Sequence, residues 1–349
     1  MSRKVLIIKP SSLGDVANAL AAIPAVRALY PGCVLHWLVN AEYEELVRAA
    51  GVDDVLRFER GMWRGVSTLA SGIGTLCRLH KALRRARYDT VIDLQGLFRS
   101  GWFAWMTGAA VRLGFSDARE CASLFYTHVV DTRRHFVHAV DACMAAVRAL
   151  GGADVQAAWE WPGLAAVAGD VHEAAGTKPG GYVVLVPGAR HGAKRWPAES
   201  YADVAARIWK GHGIPLVLVG AADEEELCAH VKRAAVEHGC DGSAVLPLAG
   251  RVSLAGLVTL CRDSRLVVSN DTGALHLAVA SGASVVAVMG PTRREGHGPY
   301  GQMDHVVAAR KDCAPCQGTR RRSRCTDEGA CMRTITVESV MGKADALLR

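Results

Sequence analysis

Leu266-Val267-Val268-Ser269-Asn270-Asp271-Thr272-Gly273-Ala274-Leu275-His276 is the stretch whose reading decides the fold. Leu266–Val268 is a short apolar run, the mark of a buried strand. Ser269–Gly273 interrupts it, and Leu275, Ala278 and Val279 then recur at helical spacing. The order is strand, tight turn, helix. In an open α/β sheet the loop at the carboxyl end of a strand faces the ligand crevice. The helix that follows offers its first N–H groups and the positive end of its dipole to a phosphate. Asp271 and Thr272 are also ordinary N-cap residues, so a capped helix is the plain alternative. Gly273 and His276, one helical turn apart, point toward a site.

Working outward, the same alternation recurs along the chain. Strands are expected at Val5–Lys9, Val34–Val39, Asp54–Phe58, Tyr88–Leu94 and Val111–Phe115, then at Tyr182–Pro187, Pro215–Val219, Ala244–Pro247, Leu266–Ser269 and Ser284–Met289. Helices are expected between them, among them Asp15–Tyr30 with a kink at Pro24, Thr68–Arg87, His135–Leu150, Ala198–His212 and Asp223–His238. Regular alternation implies parallel strands joined by right-handed crossovers. The fold class is therefore α/β, with two doubly wound domains and a ligand cleft between them. A length of 349 residues, half of them hydrophobic, agrees with two cores. We expect a first domain over 1–160, a glycine-bearing interdomain stretch over 161–181, a second domain over 182–335 and a terminal helix over 336–349. The region from Pro291 to that helix reads as irregular.

The net charge of +7 is compatible with an anionic substrate, a membrane surface or nucleic acid. Aromatic stacking motifs are missing and the cations are scattered over loops, which speaks against nucleic acid. The densest basic tract runs through Arg57, Arg60, Arg64, Arg78, Lys81, Arg84, Arg85 and Arg87. The first apolar run, Val5–Ile8, is a strand cut short by Pro10 and not a leader segment. No run approaches the ~20 apolar residues of a membrane span. From these features we expect a cytoplasmic protein, soluble or peripheral. Of 11 cysteines, Cys33, Cys77, Cys143, Cys228 and Cys261 lie in or beside apolar stretches and read as small core residues. Cys313, Cys316, Cys325 and Cys331 have C-x2-C-x8-C-x5-C spacing. That spacing fits a metal site less well than simple thiols.

Four loops follow strand ends. Ser11-Ser12-Leu13-Gly14-Asp15 lacks both the dinucleotide fingerprint and the P-loop pattern, which argues against a dehydrogenase or an NTPase. Asp15 is either a helix cap or a general base for a substrate hydroxyl. Pro187–Pro197 combines Gly188 and Gly192 with Arg190, His191, Lys194 and Arg195 ahead of a helix, the chemistry of a phosphate cradle. Val219–Glu226 carries acids in a first helical turn, which cap the helix or accept from ribose hydroxyls. The opening stretch is the fourth.

Taken together, Lys9-Pro10-Ser11-Ser12-Leu13-Gly14-Asp15, Asp93-Leu94-Gln95-Gly96-Leu97, Lys194-Arg195-Trp196-Pro197, Ser269–His276 and Gly290-Pro291-Thr292 resemble the bacterial lipopolysaccharide heptosyltransferases of glycosyltransferase family 9. The resemblance runs from about residue 4 to the final helix and rests on the order of five motifs. It implies the GT-B fold, inverting transfer and no metal or other cofactor in catalysis. It matches Asp15 to the proposed catalytic base. Lys194, Glu224, Asp271, Thr272, Gly273 and His276 become donor ligands, around the diphosphate, ribose and sugar. Ser12, Gln95 and Arg64 are expected on the acceptor side. Asp117–Glu120 and Ala122–Tyr126 look like the first heptosyltransferase of the core pathway, and the C-terminal cysteines look like the second or like family members of unassigned acceptor. The implied reaction moves heptose from ADP-heptose, a nucleotide-sugar donor, to Kdo or heptose of the anionic lipopolysaccharide inner core, at the cytoplasmic face of the inner membrane. The alternatives are a family member with another donor or acceptor, or a nucleotide-sugar epimerase of the same two-domain shape.

Overall fold

The computed structural model describes residues 2–58, 69–132, 138–152, 155–168, 171–316 and 329–349. The chain divides into two units, Met1–Ala166 and Val167–Arg349.

In the first unit, strands β1 (Lys4–Ile8), β2 (Val34–Asn40), β3 (Asp54–Phe58), β4 (Thr90–Asp93), β5 (Val111–Phe115) and β6 (His128–Val130) form one parallel sheet in the order β3-β2-β1-β4-β5-β6. Its described helices are α1 (Leu13–Ala19), α2 (Ala22–Leu29), α3 (Glu44–Ala49), α4 (Leu69–Ala86), α5 (Phe98–Thr107) and α6 (Ala139–Arg148), and α7 (Leu164–Ala168) spans the boundary between the units. Val5 through Ile8 are fully buried, as expected of a central strand covered on both faces. Each such side chain contributes roughly 1.5–3 kcal/mol of hydrophobic stabilisation.

The second unit repeats this plan. It contains α8 (Val171–Ala175), β7 (Val183–Val186), α9 (Ala198–His212), β8 (Leu216–Leu218), α10 (Glu225–Glu237), β9 (Val245–Pro247), α11 (Leu254–Arg262), β10 (Leu266–Asn270), α12 (Gly273–Ala280), β11 (Val285–Met289), α13 (Arg294–His297), β12 (Val306–Ala308) and α14 (Val337–Leu348). The strand order is β9-β8-β7-β10-β11-β12, again all parallel. Numbered from its own first strand, each sheet is thus 3-2-1-4-5-6, the doubly wound order with its switch point between strands 1 and 4. α9 buries Tyr201, Ala202, Val204, Ala205 and Ile208 along one stripe and stops at Gly213, whose φ of +63° caps the helix.

Several elements differ from the sequence reading. The helix expected over Asp15–Tyr30 is two helices, broken at Leu20-Ala21. Pro24 therefore lies in the first turn of α2, where its missing N–H has no intrahelical acceptor to lose. Strands β6 and β12 were not expected. Each has three residues at a sheet edge; β9 is as short and was expected, so length alone does not account for the difference. The stretch from 161 to 181 is not featureless: Val171 and Ala175 of α8 pack in the core of the second unit with Val184 and Leu260. The terminal helix α14 buries Val340, Met341, Ala344 and Leu348 in that unit's other core layer.

Candidate active site

Both switch points carry polar loops. In the first unit the loop leaving β1 opens α1. Ser12 is the N-cap. Its backbone N–H and its hydroxyl both donate to Asp15 Oδ2, at 2.9 and 2.7 Å. Asp15 is therefore the third residue of the helix and not its cap, and it is only half-buried. Across the switch point, Gln95 follows β4 and its Oε1 accepts the Ser11 N–H at 3.2 Å. Ser12, Asp15 and Gln95 are thus drawn together from positions some eighty residues apart. Arg64 lies outside the described residues.

Asp93, the last residue of β4, is fully buried. It accepts from the amides of Gln95 and Gly96 and from the Tyr126 hydroxyl, at 2.8, 3.2 and 2.7 Å. Burial pushes its carboxyl above the usual range, opposed by these donors. Neither Asp93 nor Tyr126 was singled out as a site residue from sequence. The available signal was a charged residue ending the apolar run Val91-Ile92.

In the second unit, Lys194 Nζ donates to Asp271 Oδ2 at 2.7 Å, with side chains 18% and 5% exposed. The pair joins the loop after β7 to the loop after β10. Asn270 fixes its geometry: Oδ1 accepts the Trp196 N–H at 3.1 Å and Nδ2 donates to the Pro187 carbonyl at 2.7 Å. Trp196 is itself anchored, its indole N–H on the Ile335 carbonyl and its ring edge-on to Tyr201. Glu224 comes from the loop after β8. Its Oε2 accepts the Ala221 N–H at 2.9 Å, and its carboxylate lies over Gly188, where a Cβ would sit 2.1 Å from Oε1. Any larger residue at 188 would displace the Glu224 carboxylate from this position. Arg195 Nη2 stands 3.9 Å from Glu224 Oε1.

Thr272 is the N-cap of α12 and its hydroxyl makes no capping bond. Gly273 begins the helix, and His276 lies buried in its first turn. Lys194, Glu224, Asp271, Thr272, Gly273 and His276 therefore all belong to loops and helix starts around the second switch point. Asn270 and Trp196 complete the cluster. Asn270 shows in the sequence only as a polar residue closing an apolar strand.

Among the described residues, no three His, Cys, Asp or Glu side chains are placed to hold one metal ion. Cys316 and Cys331 are buried and Cys313 is exposed; Cys325 lies outside the described residues. Cys77, expected in a core, is exposed.

Two 3-2-1-4-5-6 units in one chain, each with polar loops at its switch point, have the architecture of GT-B glycosyltransferases. The comparisons agree. The family model for glycosyltransferase family 9 (heptosyltransferase) matches residues 76–326. The chain belongs to glycosyltransferase family 9. It is 29% identical to lipopolysaccharide heptosyltransferase 1 of Pseudomonas aeruginosa over 335 residues, covering 90% of this chain and 86% of that protein. Its fold is similar to that of E. coli heptosyltransferase WaaC solved with ADP, with a TM-score of 0.78, 26% identity and 99% of each chain covered. The same is true of WaaC with ADP-2-deoxy-2-fluoro heptose, with a TM-score of 0.76, 26% identity and coverage of 98% of this chain and 99% of that one.

Proposed function

We propose that this glycosyltransferase moves heptose from ADP-heptose to a Kdo or heptose hydroxyl of the lipopolysaccharide inner core, with inversion and without a catalytic metal. The observation that carries this reading is the Lys194–Asp271 pair at the start of α12, in a chain similar to enzymes solved with ADP and with a fluorinated ADP-heptose.

The chemistry follows from the two loops. Inverting transfer is a single displacement at the anomeric carbon, so the acceptor hydroxyl loses its proton as it attacks. Asp15 takes that proton as general base, with Ser12 holding one carboxylate oxygen. Ser12 and Gln95 stand beside the acceptor hydroxyl. The departing diphosphate gains negative charge. Lys194 and the N-terminus of α12 at Thr272 and Gly273 meet that charge with an ammonium and backbone donors. Asp271 orients the ammonium. Glu224 accepts from ribose hydroxyls, and His276 borders the donor's sugar.

We assign the acceptor's anionic groups to the basic tract, whose members on α4, Arg78, Lys81, Arg84 and Arg85, lie exposed. Phe98, Trp105 and Leu124 of the same unit are 48%, 55% and 81% exposed. Exposed aromatic and aliphatic side chains in a unit that also exposes these cations suit a lipid headgroup boundary, and this supports peripheral association with the inner membrane from the cytoplasm. Among the described residues no helix is long and apolar enough to cross a membrane.

The deciding experiment offers ADP-heptose and other nucleotide-sugars with defined lipid acceptors and reads products by mass spectrometry. Heptosylated acceptor only with ADP-heptose is the expected result. Conversion of the nucleotide-sugar without acceptor would mark an epimerase instead.

A further inference from the structure

In the first unit the loops leaving β1 and β4 are tied together twice above the sheet. Lys9 Nζ donates to the Leu94 carbonyl at 2.8 Å, and Ser11 N–H donates to Gln95 Oε1 at 3.2 Å. Gln95 is held from beneath by Asp93, whose Oδ1 takes the N–H groups of Gln95 and Gly96 and whose Oδ2 takes the Tyr126 hydroxyl. Tyr126 reaches that oxygen across β5 because residue 114 is glycine: a Cβ there would meet the ring at 2.2 Å. Gly96 is fixed on its other side by Arg119, whose N–H donates to its carbonyl at 2.9 Å.

The second unit has a counterpart. Asn270 ends β10, the strand that occupies the place of β4 in the same topology, and it too bridges its switch point. The chemical difference is informative. Asn270 faces one donor, the Trp196 N–H, and acceptors, the Pro187 and Gly188 carbonyls, so an amide matches it. Asp93 faces two N–H donors and the Tyr126 hydroxyl, and its two carboxyl oxygens accept from all three. A buried carboxylate is costly unless its oxygens are satisfied. Here its oxygens hold the Gln95-Gly96 turn on one side and the Tyr126 hydroxyl on the other.

We propose that Asp93 and Tyr126 are positioning residues for transfer: acting through Gln95 and Ser11, they fix the loop that aims Asp15. The path is continuous. Asp93 sets the Gln95 backbone, the Gln95 side chain sets Ser11, and the adjoining Ser12 places both of its donors on Asp15 Oδ2. The proposal rests on the reading of Asp15 as the base.

The test is a set of steady-state measurements on Tyr126→Phe, Asp93→Asn and Asp15→Asn, and on Tyr126→Phe combined with Asp15→Asn. Tyr126→Phe keeps the ring in the Gly114 notch and removes one donor, so the protein stays folded. Asp93→Asn can turn its oxygen to the two N–H groups and its N–H2 to the Tyr126 hydroxyl, so it loosens the anchor without emptying it. We expect kcat to fall about tenfold in Tyr126→Phe and in Asp93→Asn, part of the ~10²-fold loss that a misplacement of ~1 Å brings. The KM for donor and for acceptor should not change. In the Asp15→Asn background Tyr126→Phe should bring no further loss, because no base is left to misplace. Parental kcat in Tyr126→Phe, a raised acceptor KM as its only effect, or a full additional loss on top of Asp15→Asn overturns the proposal. Parental turnover in Asp15→Asn overturns the base assignment itself, which separates the two failures.

Discussion

Lys194→Ala tests the second cluster on two scales at once. The lysine faces Asp271 at 2.7 Å, and Asp271 is only 5% exposed. Removing one partner of a buried ion pair costs about 3–5 kcal/mol, because the other charge stays behind unpaired. Lys194 keeps 18% of its side-chain surface, so water partly replaces the ammonium, and we expect about 2–3 kcal/mol. For a domain of this size, roughly 2–4 °C per kcal/mol gives a fall in melting temperature of roughly 4–12 °C. Adding Asp271→Asn removes the stranded charge and should recover most of that loss. Donor binding should behave differently. A charge-assisted hydrogen bond contributes about 1.5–3 kcal/mol, so losing the contact to the diphosphate weakens ADP binding about 10- to 100-fold, and the second substitution does not restore it. Thermal melts and calorimetric titration with ADP read the two effects. A parental melting temperature in Lys194→Ala would show that the pair is solvated and worth little. Recovery of ADP binding in the double variant would show that Lys194 never touches the phosphates.

Three other outcomes are expected. Asp15→Asn retains an oxygen for the Ser12 amide, so melting should change little, while kcat falls by about 10²–10⁴-fold; near-parental turnover would reduce Asp15 to a loop-closing residue. Gly188→Ala drives a methyl into the Glu224 carboxylate, so nucleotide affinity should fall while the first unit's acceptor binding is untouched, and equal ADP affinity would remove Glu224 from the site. The Arg262 guanidinium, with His172 second, holds the Asp263 carboxyl below its usual range. A depressed folded pKa stabilises above the unfolded value of ~3.9 and is lost as pH falls through the folded value, so the gap in melting temperature between parent and Asp263→Asn should close in acid below that value. A gap that persists to the acid limit of folding would assign the effect to packing.

The fold was largely legible because its signals are local. A run such as Val5–Ile8 or Val285–Met289 is apolar throughout, as a strand buried on both faces must be, and α9 shows its stripe within fifteen residues. Resemblance in five ordered motifs then pointed to the family that the comparisons show. The edge strands β6 and β12 were not legible, although the equally short edge strand β9 was, and the break before α2 left no mark beyond Pro24.

The sequence by itself determined which residues have the chemistry: carboxylates, a lysine and glycines at strand ends. It did not determine who meets whom. Gln95 reaches Ser11 across 84 positions and Lys194 reaches Asp271 across 77, because parallel crossovers insert strands 2 and 3 between the two neighbours of each switch point. Asp93 and Asn270 read as ordinary polar strand ends until the sheet order places donors or carbonyls around them. Hydrogen bonding is short-ranged and directional, so those partners are set by tertiary packing and not by any pattern along the chain.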